Sequence, residues 1–200
     1  MIALSATRGD DRRIPFWRFA LVLVLILVGA CRLFAANIKA PKTSKLAPPG
    51  TAVVVLLFVA SDCPISDRYQ PEFTRLSKAF EGRSVKFWMV YPNPSETQAG
   101  VELHQKQFSQ SVPPLLDPEQ KLVKMARVHA TPEAAVFVAG PEGLREVYSG
   151  RIDDRYLGLG KQRPQARHLD LTDAIEAALK GQPVHPAAGK AVGCSIIPLR

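Results

Sequence analysis

The chain has 200 residues, 46% hydrophobic and 22% charged, with a formal net charge of +8. Those proportions are ordinary for a globular chain and exclude disorder or collagen-like repetition as the default. The charge crowds toward the beginning, where Arg8, Arg12, Arg13, Arg18 and Arg32 face only Asp10 and Asp11. No basic stripe interleaved with aromatics marks a nucleic-acid partner.

Residues 19–30, FALVLVLILVGA, are uninterrupted and apolar. A run of that length falls short of the roughly 20 residues a hydrocarbon core requires and fits a signal-peptide h-region behind its arginines. Leu27-Val28-Gly29-Ala30-Cys31 resembles a bacterial lipobox, with Cys31 as the lipid anchor point, while Val28 and Ala30 equally satisfy ordinary signal cleavage. A third reading is an uncleaved anchor lengthened by Leu33–Ala36. All three place the rest of the chain outside the cytoplasm, in the periplasm or anchored to the membrane and facing it. The expected organisation is a signal or anchor over residues 1–36, a Pro/Lys-rich linker over 37–50, one domain over 51–181, and a Pro/Gly-rich tail over 182–200. With Cys31 set aside, Cys63 and Cys194 remain, an even pair in a compartment where disulfides persist.

Thr51–Ala60 is short, β-branched and apolar on both faces, as a covered central strand is. Ile65, Tyr69, Phe73, Leu76 and Phe80 then recur at helical spacing, with Pro71 expected to kink that helix and Gly82 to end it. Val85–Tyr91 is the next strand. Asn93-Pro94-Ser95-Glu96 has the chemistry of a helix start, with Val101, His104 and Phe108 on the inner face. Asp117-Pro118-Glu119-Gln120 repeats that opening before Leu122, Met125 and Ala126. A strand over Ala134–Ala139, a turn at Gly140–Gly143 and a strand over Leu144–Ser149 make a hairpin, and Leu169–Lys180 a last helix. The order is β-α-β-α-(α)-β-β-α, an α/β chain with a central mixed sheet covered by helices on both faces.

Four features carry a family resemblance. Cys63 follows a hydrophobic strand and opens a helix; Pro71 lies eight residues after it; Thr131-Pro132 precedes the penultimate strand; and Tyr148–Asp154 reads YSGRIDD. Over roughly residues 50–180 the chain resembles the thioredoxin-like superfamily, and within it the redoxin branch that includes peroxiredoxins of the alkyl hydroperoxide reductase type. The resemblance implies a thioredoxin-like fold, a cis-proline at Pro132, and a backbone edge at Thr131 facing an extended client. Two positions depart from the pattern. Ser66 stands where a dithiol motif has its second cysteine, and Ala60 where peroxiredoxins carry threonine.

The expected chemistry rests on Cys63 as nucleophile, its thiolate favoured by a helix N-terminus, with Arg68 and Arg151 as candidate neighbours. Cys194 is its candidate resolving cysteine, provided the tail returns to Cys63; a static staple and a stray thiol are the alternatives. Catalysis is thus expected from Cys63, Cys194, Thr131 and Pro132. The partners are client thiols or disulfides, or a small peroxide, together with an electron donor that the sequence does not name. No cofactor and no metal are expected. The competing class is a non-enzymatic module that binds a peptide, or copper through Cys63, His129 and Cys194. His104 reads as a core or rim residue, His168 and His185 as solvated, and Asp153-Asp154 as a surface ion-pair network beside Arg151 and Arg155.

Overall fold

A computed structural model describes residues 45–199. The signal or anchor segment, Cys31 and most of the linker lie outside the described residues. Among the described residues, no helix is long and apolar enough to cross a membrane.

The centre of the fold is β1 (Val53–Phe58), whose six residues are all buried. It pairs in parallel with β2 (Val85–Tyr91), which in turn pairs in parallel with β3 (Pro114–Leu116). On its other side β1 runs antiparallel to β5 (Glu133–Gly140), and β5 forms a hairpin with β6 (Gly143–Gly150). The resulting five-stranded order is β3-β2-β1-β5-β6, the mixed sheet expected of a thioredoxin-like fold, and β7 (Tyr156–Gly158) and β8 (Lys161–Gln162) form a separate antiparallel pair.

The period of two along β1 assigns its side chains to two cores. Val53, Val55, Leu57 and Val59 face one, which is filled by α1 (Pro64–Ala79) and α4 (Asp170–Leu179) through Tyr69, Phe73, Leu76, Leu171 and Ile175. Val54, Leu56 and Phe58 face the other, closed by Val123 and Ala126 of α3 (Lys121–Ala126) and by Ile196 of the tail. Truncating a wholly buried aromatic such as Phe58 or Phe73 to alanine would cost about 3–5 kcal/mol, through lost transfer energy and the cavity left behind. The near end of the linker also docks, since the Trp88 indole donates to the Leu46 carbonyl at 2.8 Å.

Three expectations need correction. Helix α2 (Gln98–Gln107) starts later than Asn93, because Thr97 is its N-cap and accepts from the Gly100 N–H. The Asn93 side chain instead accepts from Ser95, and Glu96 reaches out of its segment altogether, to Ser61. Likewise α3 starts at Lys121, although Asp117 does cap it by accepting from the N–H groups of Lys121, Leu122 and Val123. Finally, Asp153 and Asp154 are buried rather than at the surface. Asp153 accepts from the Tyr69 hydroxyl at 2.5 Å, and Asp154 from the N–H groups of Arg167 and His168. Their arginine neighbours are Arg155 and Arg163; Arg151 pairs with Asp170.

Candidate active site: two sulfurs under a cis-proline loop

Cys63 is the N-cap residue of α1, with extended backbone at φ −100 and ψ 107 and Pro64 opening the helix. A proline costs nothing at that position, where an N–H would have no helical partner. The loop entering it is braced by Glu96, whose carboxylate accepts from the Ser61 N–H and hydroxyl, each at 3.0 Å. Across from the loop lies the cis Thr131-Pro132 bond. The Cys63 thiol donates to the Thr131 carbonyl at 3.2 Å.

The tail then returns. Strand β9 (Cys194–Ser195) pairs antiparallel with β4 (Ala130–Thr131), setting Cys194 opposite Thr131. The Ile196 N–H extends the ladder to the His129 carbonyl at 2.9 Å. In this register the Cys194 Sγ lies 2.7 Å from the Cys63 Sγ and its thiol donates to it. Both cysteines are free thiols. Gly193 makes the approach feasible: a β-carbon there would overlap the Thr131 carbonyl. Small residues matter here because the two backbones touch.

The two sulfurs differ electrostatically. Burial pushes the Cys63 thiol up, but donation from Cys194 and from the N–H and hydroxyl of Ser66 brings it below its ordinary value. Burial, donation to Cys63 and the charges of Cys63 and Asp62 push Cys194 up to about 12. Of the two, Cys63 is the sulfur more readily ionised. Ser66, wholly buried in the place of a missing cysteine, also accepts from the Ala60 N–H at 3.4 Å. Arg151 is engaged with Asp170 rather than with Cys63, and Arg68 is not among the groups that chiefly set the acidity of Cys63.

A cavity of about 210 Å³ opens beside the pair, bordered by Ala60, Asp62, Pro92, Gln120, Thr131 and Cys194. Among the described residues, no group of three His, Cys, Asp or Glu is arranged to hold a metal ion. His129 serves the site through its backbone, and His104 is a core residue bonded to Tyr91 and Asp67. Cys63, Cys194, Thr131 and Pro132 are brought together. Ser66, Gly193, Glu96 and Gln120 are the participants that sequence reasoning missed as site residues.

The comparisons agree with this architecture. A hypothetical protein of Sinorhizobium meliloti aligns at a TM-score of 0.60 and 24% identity, covering 74% of this chain and 80% of its own. An uncharacterized conserved protein of Geobacillus kaustophilus aligns at 0.58 and 24% identity, covering 72% and 76%. At that identity the likeness speaks for the fold. No curated protein matches the sequence. The family model for AhpC/TSA matches residues 33–145, more than half of the chain, and stops short of the tail that carries Cys194. The chain belongs to the AhpC/TSA family, on a thioredoxin-like fold.

Proposed function

We propose that the protein is an extracytoplasmic thiol–disulfide oxidoreductase that works through Cys63 and Cys194. The observation that carries this reading is the approach of the Cys63 and Cys194 sulfurs to 2.7 Å, with no other cysteine among the described residues. The Cys63 thiolate attacks one sulfur of a client disulfide, forms a mixed disulfide and expels the other client sulfur as a thiolate. Cys194 gives up its proton and attacks the Cys63 sulfur, forming the internal disulfide and releasing the second client thiol. The client gains two electrons and the cysteine pair loses them; an external dithiol returns the pair to the thiol state.

Cys63 is wholly buried in the docked state, so client attack requires β9 to lift from β4. A second use of the same pair also requires the tail to lift, because the cavity beside Cys194 does not reach Cys63. A hydroperoxide would oxidise the Cys63 thiolate to a sulfenic acid and leave as its alcohol, and Cys194 would condense with that acid to disulfide and water. The extracytoplasmic assignment rests on the apolar segment at residues 19–30.

The test is to treat reduced protein with glutathione disulfide, quench with acid and map the peptides by mass spectrometry. The expected product has lost two hydrogens and links the Cys63 peptide to the Cys194 peptide. In Cys194→Ala, glutathione remains attached at Cys63. Two alkylatable thiols after oxidant, or unchanged reactivity in Cys63→Ala, would overturn the reading. Repeating the series with hydrogen peroxide separates the two substrate classes.

A further inference from the structure

Strand β9 holds Cys194 against Cys63 through a ladder only two residues long, too short to be stable alone. The side chains beyond it add little, because Ile197 is 80% exposed and Leu199 42% exposed. Ile196 alone packs onto a core cluster. Among the described residues, the side-chain hydrogen bonds that hold the tail past Ile196 come from Gln120.

Gln120 is only 2% exposed, yet its amide faces the tail backbone from both sides of Pro198. Its Nε2 donates to the Ile197 carbonyl at 2.8 Å, and its Oε1 accepts from the Leu199 N–H at 3.1 Å. A parallel strand neighbour would make that same pair of contacts, and Pro198, with no N–H of its own, leaves no donor unpaired between them. Nε2 also reaches the Pro92 carbonyl at 3.5 Å, on the loop that borders the cavity beside the sulfurs. The Gln120 backbone adopts the left-handed region, at φ 53 and ψ 34. A glutamine seldom takes that conformation, where glycine or asparagine is at ease. The position keeps a long amide despite that preference. Its backbone is fixed from both sides, by the bond from its N–H to the Asp117 carbonyl at 2.9 Å and by that from the Lys124 N–H to its own carbonyl at 3.0 Å.

We propose that Gln120 is a positioning residue, a clamp that sets how often Cys194 stands at Cys63 and how well the tail shields that sulfur. It touches neither sulfur and acts through residues 197–199. The inference rests on the two-cysteine reading above for its consequence, while the clamp itself is measurable without it.

The test is a double-mutant cycle in glutathione buffers. One glutathione disulfide oxidises both thiols to the internal disulfide and yields two molecules of reduced glutathione, so the equilibrium ratio gives the effective concentration of one sulfur at the other. Gln120→Ala is expected to lower that concentration about tenfold, the worth of two ordinary hydrogen bonds. Removal of residues 197–200 is expected to lower it as much, and the combined variant no further, because both changes cut the same contacts. A change within twofold for Gln120→Ala, or losses that multiply in the combined variant, would overturn the clamp.

If the unmodified chain forms no internal disulfide, the two-cysteine reading fails. The clamp is then tested by alkylation of Cys63 in a Cys194→Ala background. Gln120→Ala is expected to raise that rate about tenfold, with the gain absent once residues 197–200 are removed; an unchanged rate would overturn it. Should Gln120→Ala not fold, Gln120→Glu retains the acceptor for Leu199 and loses the donor to Ile197. It is expected to give about a third of the same effect on a logarithmic scale or more, and no effect would be contrary.

Discussion

Gly193 stands against the Thr131 carbonyl so closely that no β-carbon fits between them. The register that sets Cys194 opposite Thr131 has room for no side chain at position 193. Gly193→Ala should therefore push β9 off β4. The effective concentration of the internal disulfide is expected to fall about fivefold or more, with faster alkylation of Cys63, since relieving such an overlap costs on the order of 1–3 kcal/mol. Gly158→Ala is the control, because its added methyl group meets nothing within 4 Å. Equal disulfide formation in both variants would show that the tail docks without this approach.

Ser66 should govern the acidity of Cys63. Its hydroxyl and N–H favour the thiolate, so Ser66→Ala removes one of two supports and moves the thiol upward. The sign is direct. Alkylation requires thiolate, so its rate rises with pH through the Cys63 midpoint, and that midpoint lies below an ordinary thiol in the unmodified protein and higher in the variant. Cys194→Ala should shift it the same way, by removing the largest of the donors. A pH profile of iodoacetamide labelling reads both shifts, and a midpoint unmoved in both variants would refute the assignment.

Tyr69 and Asp153 should form a structural pair. Burial and donation to Asp153 push the Tyr69 hydroxyl well above its usual range, so it remains a donor throughout the accessible pH range. The other carboxylate oxygen, Oδ2, has no hydrogen-bond partner among the described residues, so Tyr69→Phe would leave the group served mainly by the Arg155 N–H. A loss of about 1–3 kcal/mol in urea unfolding is expected, with Cys63 labelling unchanged in the native baseline. A stability equal to that of the unmodified chain would show that water or a rearranged Arg155 replaces the phenol.

The sheet was legible because its strands need little beyond their own composition. Val53–Phe58 and Val85–Tyr91 are β-branched or aromatic runs, and the hairpin is announced by its Gly-Pro-Glu-Gly turn. Helix starts were less so, since Asn93 and Glu96 have the right groups at the right spacing but use them elsewhere. Glu96 is drawn to Ser61, a contact 35 residues back in the chain that no local pattern encodes. Asp153 and Asp154 look solvated among arginines, and only the tertiary packing of Tyr69 above them reveals their burial. In the site, Cys63 and Cys194 are legible by scarcity, as rare residues in an even pair. Ser66 first reads as an absence, a cysteine that is not there. Gln120 carries no signal at all, because an amide that reaches partners 28, 77 and 79 residues away resembles any other glutamine.

The burial of Cys63 beneath a second thiol bears on the protein's chemical lifetime. A sulfur that ionises readily is also the one most easily driven past sulfenic acid to forms that do not return. In the docked state the oxidant meets the tail first, and any sulfenic acid formed on Cys63 has a proton-bearing sulfur already at 2.7 Å. The quickest exit is then a disulfide, which a dithiol can undo. On the proposed chemistry, the same strand would both delay a client and spare Cys63 from permanent loss.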